Sequence, residues 1–152
     1  MTPSQLRAKV IAERVGWINR MLANLRKLPL NSYAAFGSDP RNIAAAESYL
    51  RRALEALLDL GRHVLAKGFG QAVAEYKDVA RNLVQFTVLD QQKGDLLREL
   101  AGYRNRLVHF YHEISDQELY EICTARLSDI EMLLTAMTDW IKSHPELIDQ
   151  SL

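Results

Sequence analysis

The chain of 152 residues holds a single cysteine, Cys123. No intrachain disulfide can form, which suits a reducing compartment. Charge of one sign is also missing: 19 Lys and Arg face 19 Asp and Glu, so the net charge is zero. That balance leaves no global electrostatic footprint for nucleic acid, and any polyanion contact must come from a local basic patch. A near-neutral surface also does little to oppose self-association. No apolar run approaches the ~18 residues needed to span a bilayer. The N-terminus lacks the charged-then-apolar pattern of a secretory signal. The expectation is therefore a cytoplasmic protein without a membrane anchor. Gly68-Phe69-Gly70 carries no phosphate-loop signature, because the Gly-x4-Gly-Lys-Ser/Thr pattern is absent. His109, His112 and Glu113 are spaced H-x-x-H-E, which is neither H-E-x-x-H nor H-x-x-E-H. No metal site and no cofactor are expected from these spacings.

What is present is apolar periodicity. Hydrophobic residues make up 48% and charged residues 25%, enough for one domain over 1–152 with one core. Prolines 3, 29, 40 and 145 stand near the edges of periodic segments, and helix is the natural reading between them. Thr2-Pro3-Ser4-Gln5 reads as the capped start of a first helix that carries Leu6, Val10, Trp17, Met21 and Leu28 and ends before Pro29. Residues 29–40 read as a loop. Asp39-Pro40 restarts a helix with a wide apolar face, from Tyr49 to Leu65, that stops near Lys67. A shorter helix follows at roughly 76–87, with Tyr76, Val79, Ala80, Leu83 and Val84 on one face. Asp90 caps a fourth, with Leu96, Leu97, Leu100, Ala101, Leu107 and Val108. Ser115-Asp116-Gln117-Glu118 is a capping box for one last helix, whose seam runs from Leu119 through Cys123 to Ile141. The expected architecture is all-α: an antiparallel bundle of four or five helices with no strands. His63 and Cys123 read as packing residues, Trp17 and Trp140 as core or dimer contacts.

Residues 98–113, RELAGYRNRLVHFYHE, mix basic and titratable groups more densely than any other stretch. Arg104, four residues, His109, one residue and Tyr111 form R-x4-H-x-Y. The run AGYRNRLVHFYHEIS, together with RRALEALLDLGRHVLAKGF at 51–69, resembles HepT-like toxins of the HEPN ribonuclease superfamily, from about residue 10 to residue 140. The resemblance implies an HEPN bundle that forms a homodimer with its active cleft at the interface. It implies a metal-independent endoribonuclease toxin of a type VII-like toxin–antitoxin pair, with an RNA substrate such as mRNA or tRNA. It further implies an MntA-like nucleotidyltransferase antitoxin that silences the toxin by adenylylating the motif tyrosine. Carried over, Arg104 and His109 are the catalytic candidates, Asn105 supports the site, and Tyr111 is the modification site.

The residue types suit the chemistry. Metal-free RNA cleavage uses the ribose 2′-OH as nucleophile and needs a proton shuttle near neutral pH, for which histidine has the right pKa. It also needs a fixed cation for charge developing on phosphoryl oxygens, which arginine supplies as a planar donor array. On an ideal helix Arg104 and Tyr111 lie only ~20° apart, Asn105 and His109 about 40°, and Arg104 and His109 about 140°. Pointing Arg104 and His109 at one phosphate therefore calls for a helix break between them or a site shared by two protomers. The alternative readings are plainer. Arg104 and Tyr111 could form a structural cation–π pair, and Arg51 and Arg52 a solvated face. The whole chain could also be a non-catalytic helical module that docks to a nucleotidyltransferase.

Overall fold

In the computed structural model, which describes residues 5–109 and 114–149, seven α-helices form an all-α bundle around one long central helix. Helix α1 spans Ala8–Arg26, α2 Tyr33–Gly37, α3 Pro40–His63, α4 Tyr76–Gln85, α5 Gln91–His109, α6 Asp116–Ala125 and α7 Leu127–Lys142. The centre is α3, which touches α1, α2, α4, α5, α6 and α7. That explains its wide apolar face: Leu50, Leu54, Leu57, Leu58 and Leu60 are all fully buried, serving different neighbours around the helix. Each contributes roughly 1.5–3 kcal/mol of transfer free energy. The Asp39-Pro40 start holds as expected, with the Asp39 carboxylate accepting from the Arg41 N–H at 2.9 Å. Past His63 the helix loosens into one π-helical turn, Val64–Gly68.

Two glycines set how closely α4 approaches its neighbours. A Cβ on Gly61 of α3 would come within 2.8 Å of Val79 Cγ1, and one on Gly94 of α5 would overlap Val84 Cγ2. The absent side chains let α4 seat between α3 and α5, which brings Tyr76 against α5. The start of α5 follows the expected cap: Asp90 Oδ1 accepts from the Lys93 N–H at 2.8 Å. From there α5 runs unbroken to His109.

Three expectations need correction. The first helix begins at Ala8, and Leu6 and Arg7, expected within it, instead pair in parallel with Ile148 and Asp149 as a two-stranded sheet; the Thr2-Pro3-Ser4 part of the expected cap lies outside the described residues. Leu6 is fully buried there, so burying that side chain outweighs one more helical turn. Residues 29–40 are not all loop, because Ser32 caps the short α2 by accepting from the Ala35 N–H at 3.0 Å. The last helix is two helices. Ser115 caps α6 as expected, but the chain bends at Arg126, where neither proline nor glycine stands. Its guanidinium is held locally by Asp129 at 2.6 Å and, across the bundle, by Glu99 of α5 at 2.8 Å, a tie that only the tertiary structure supplies. Among the described residues no helix is long and apolar enough to cross a membrane.

Candidate functional site

The candidate residues stand on the last turns of α5, where α5 crosses α3 and the start of α4. Arg104 is held from three sides. Its Nε donates to Glu55 Oε1 on α3 at 3.2 Å, and one terminal nitrogen donates to Asn105 Oδ1 at 3.2 Å. Its guanidinium carbon lies 4.6 Å from the centre of the Tyr76 ring. Arg104 is only 19% exposed, so these contacts act in a partly desolvated setting where cation–π and charged hydrogen bonds gain strength. Among the described residues the second terminal nitrogen takes no partner.

Tyr76 is itself fixed. Its hydroxyl donates to Asp59 Oδ1 at 2.7 Å, and a second guanidinium, that of Arg62, lies 4.5 Å from the ring centre. Burial first, and then the Asp59 carboxylate, push the phenol up to about 12, so it stays a neutral donor. Arg62 in turn binds the chain just before α4: Nε donates to the Val73 carbonyl at 3.0 Å and a terminal nitrogen to the Ala74 carbonyl. Glu55 also accepts from Arg51 at 3.3 Å. The result is a ladder in which two α3 carboxylates, Glu55 and Asp59, stand behind two arginines and one tyrosine.

Beside this ladder lies a groove of about 530 Å³ lined by Arg62, Ala74, Glu75, Tyr76, Lys77, Arg104, Asn105 and His109. Two arginines, a lysine and an exposed histidine meet here against the single carboxylate of Glu75, a local basic patch on a neutral chain. A phosphate fits such a patch, because arginine and lysine supply donors and charge. Arg104 and His109 line one groove from a helix that runs unbroken to His109, so no helix break is needed to bring them to it. The ~140° between them on the helical wheel describes where the Cα–Cβ bonds point. The long Arg104 side chain is drawn by Asn105 and Tyr76 toward the groove that His109 lines.

Tyr111 and His112 lie outside the described residues, and so does the pairing of Arg104 with Tyr111; the ring that Arg104 stacks on among the described residues is Tyr76. His63 is a packing residue: its Nε2 accepts from the Arg7 backbone N–H at 3.1 Å, tying α3 to the first strand. Burial, with Lys67, Arg7 and Arg14 nearby, pulls its pKa down to about 4. Cys123 is buried on the α6 seam, and burial pushes its thiol up to about 12. Arg52 is exposed, while Arg51 is paired to Glu55. Among the described residues no three His, Cys, Asp or Glu side chains cluster as metal ligands.

A family model described as Ribonuclease HepT-like matches residues 18–137. The chain belongs to the HepT-like ribonuclease family. Solved structures agree on the fold. A tri-AMPylated HEPN toxin of Shewanella oneidensis, in complex with an MNT antitoxin, is 21% identical with a TM-score of 0.77, covering 86% of this chain and 97% of that one. A toxin–antitoxin structure with AMP-PNP is 20% identical with a TM-score of 0.76, covering 84% and 97%. YutE of Bacillus subtilis, a cytosolic protein of unknown function, is 20% identical with a TM-score of 0.74, covering 92% and 94%. No curated protein matches the sequence. At these identities the structural likeness establishes the HEPN bundle.

Sequence reasoning missed Glu55, Asp59, Arg62, Tyr76 and Lys77 as neighbours of the HepT-like motif. Tyr76 reads in sequence as one more apolar position of α4. Glu55 and Asp59 stand within the 51–69 segment that carries the family resemblance, so that segment held a signal. Nothing in it names Arg104, 49 positions further on, as the partner.

Proposed function

We propose that this chain is a metal-independent endoribonuclease, the toxin of a toxin–antitoxin pair, acting through Arg104 and His109. The carrying observation is that Arg104, Asn105 and His109 line one groove together with Lys77, giving a neutral chain a local cationic pocket. A ribose 2′-OH attacks the adjacent phosphorus, the P–O5′ bond breaks, and a cyclic phosphate and a 5′-hydroxyl form. His109 exchanges the proton, as base toward the 2′-OH or as acid toward the departing 5′-oxygen. Arg104 binds the phosphoryl oxygens through the terminal nitrogen that takes no partner among the described residues, and stabilises the charge that builds on them. Asn105 fixes the guanidinium. A single histidine serves one proton transfer at a time, so we place the complementary acid or base on a second protomer of a homodimer whose cleft joins the two grooves.

Regulation follows the same chemistry. The Shewanella relative is AMPylated and bound to its antitoxin. We propose that a nucleotidyltransferase partner modifies Tyr111, two positions past His109. The tyrosine oxygen attacks the α-phosphorus of ATP, pyrophosphate leaves, and the phenolic proton passes to a base of the partner enzyme. The new phosphodiester puts negative charge and bulk beside the motif and opposes RNA phosphate binding.

The test is cleavage of labelled RNA by the purified chain in EDTA. Wild-type protein should cut, and His109→Ala and Arg104→Ala should lose at least ~100-fold while remaining folded, in line with general acid–base and electrostatic contributions. Wild-type-rate cleavage by either variant would sink the assignment. A folded wild type that never cuts RNA but binds a nucleotidyltransferase would favour the non-catalytic docking role.

A further inference from the structure

The groove at the motif does not end there. On α5, Arg98 precedes Asn105 by seven residues and His109 by eleven, so all three lie within ~20° of one line along the helix. Across from that line, Lys77 and Arg81 stand four apart on α4, both exposed, as is Arg98. A second groove of about 380 Å³ runs between the two helices, with Lys77, Asp78, Arg81, Gln91, Asp95 and Arg98 among its lining. Lys77 lines both grooves, so the two meet at its side chain and together make a furrow along the α4/α5 seam broken only there.

Its acids are already engaged. Asp78 pairs with Arg81 at 3.2 Å, and Asp95 accepts from Gln91 at 2.8 Å. Lys77 pairs with Glu75 at 3.2 Å, with both side chains over 60% exposed. Such exposed pairs are weakly held and exchange readily for a phosphate. Among the described residues Arg98 makes no ion pair or hydrogen bond. The seam therefore offers a row of exposed cations running away from the motif.

Resting on the ribonuclease reading above, we propose that this furrow is the track for the RNA strand flanking the cleavage point. Lys77, Arg81 and Arg98 contact successive phosphates of a single strand without reading its bases. From Arg98 to His109 the helix rises about 16 Å, room for at most about five phosphates at the ~3.4 Å spacing of a stacked strand. A single strand is favoured over a partner protein because the furrow shares Lys77 with the motif groove and presents exposed cations rather than an apolar core. The substrate preference that follows is for extended single-stranded RNA several nucleotides long.

The experiment measures binding of 2′-O-methyl oligonucleotides, which lack the attacking hydroxyl, at short (about four) and long (about twelve) nucleotide lengths. Fluorescence anisotropy is read between about 50 and 200 mM salt. Wild-type protein should bind the long strand at least tenfold more tightly than the short one. The Arg81→Gln/Arg98→Gln variant should shrink that ratio to about two- or threefold. It should also lower the slope of log K against log salt by about 1.4, from ~0.7 per phosphate contact on a single strand. Both residues are exposed, so the melting temperature checks the fold. An unchanged ratio and slope in the variant overturns the track. So does a wild type that cuts RNA but shows no length preference, although the cleavage reading then survives. A wild type that neither binds nor cuts RNA overturns both. Loss of nucleotidyltransferase binding in the variant, with RNA binding intact, would mark the seam as a protein interface and reject the proposal.

Discussion

Replacing Tyr76 separates the two things it does at the site. Tyr76→Phe keeps the ring and removes the hydroxyl that donates to Asp59 at 2.7 Å. A hydrogen bond to a charged group is worth ~1.5–3 kcal/mol when buried. Asp59 is 30% exposed and retains Arg62 at 3.6 Å, so water replaces much of what is lost and about 1 kcal/mol remains. Tyr76→Leu also removes the platform under Arg104 and Arg62, whose guanidinium carbons stand 4.6 and 4.5 Å from the ring centre. Each cation–π contact contributes about 0.5–1 kcal/mol where the cation keeps some contact with water. The Leu variant should therefore cost about 2–3 kcal/mol. With a urea m-value near ~1.5 kcal/mol/M, the two midpoints should differ by about 1 M. RNA cleavage should split the same way: the Phe variant holds Arg104 and keeps most of kcat, while the Leu variant lets Arg104 wander and loses roughly tenfold or more. If Phe and Leu fall together in stability and in kcat, the hydroxyl carries the whole effect and the stacking argument is refuted.

Other consequences can be measured on the same chain. Gly94→Ala should lower the melting temperature even though alanine favours helix by ~1 kcal/mol, because its Cβ overlaps Val84 and overpacking costs about 1–3 kcal/mol. Gly102→Ala, on the same helix with nothing within 4 Å of its Cβ, should raise stability by up to ~1 kcal/mol; equal effects from the two would discredit the close-approach reading of α4. His63 should make the fold sensitive to acid. Its folded pKa of about 4 lies below the ordinary 6.5, so the unfolded chain binds more protons between those values. Its contribution is complete above pH 6.5 and is lost as the pH falls toward 4. His63→Gln, which can still accept from the Arg7 N–H, should flatten the urea midpoint between pH 7 and 5 relative to wild type; an unchanged slope would exclude His63 as its source. Glu55→Gln keeps an acceptor for Arg104 but removes the charge, and should lower kcat more than it alters KM for RNA; a pure KM effect would mean that Glu55 does not orient Arg104.

The parts of this chain legible in sequence are those whose cause is local. Asp39-Pro40, Asp90 and Ser115 cap helices because their side chains reach N–H groups two or three residues on. The motif could be read for the same reason, since Arg104, Asn105 and His109 share one helix. The misreadings have distant causes. Leu6 leaves the helix because a strand partner waits at Ile148. The chain turns at Arg126 because Glu99, on another helix, holds its side chain. The helical wheel gave Arg104 and His109 divergent directions, correctly for their Cβ atoms, but the Arg104 guanidinium is drawn aside by groups the wheel does not contain.

Those distant groups change what the motif means physically. An isolated arginine on a solvated helix samples many rotamers, and ordering it on a phosphate costs about 1.5–2 kcal/mol of side-chain entropy. Here Glu55, Asn105 and Tyr76 hold Arg104 in place before any ligand arrives. Glu55 does not line the groove, whereas Arg104 does. A carboxylate so placed offsets part of the arginine's charge, so the site gives up some attraction for a phosphate in exchange for a fixed guanidinium. For a reaction in which charge grows on the phosphoryl oxygens, that exchange favours the transition state, because a fixed donor responds to developing charge without reorganising. It also makes Glu55→Gln the informative substitution: removing the offset should tighten ground-state RNA binding while slowing cleavage, a pairing that a merely structural carboxylate would not produce.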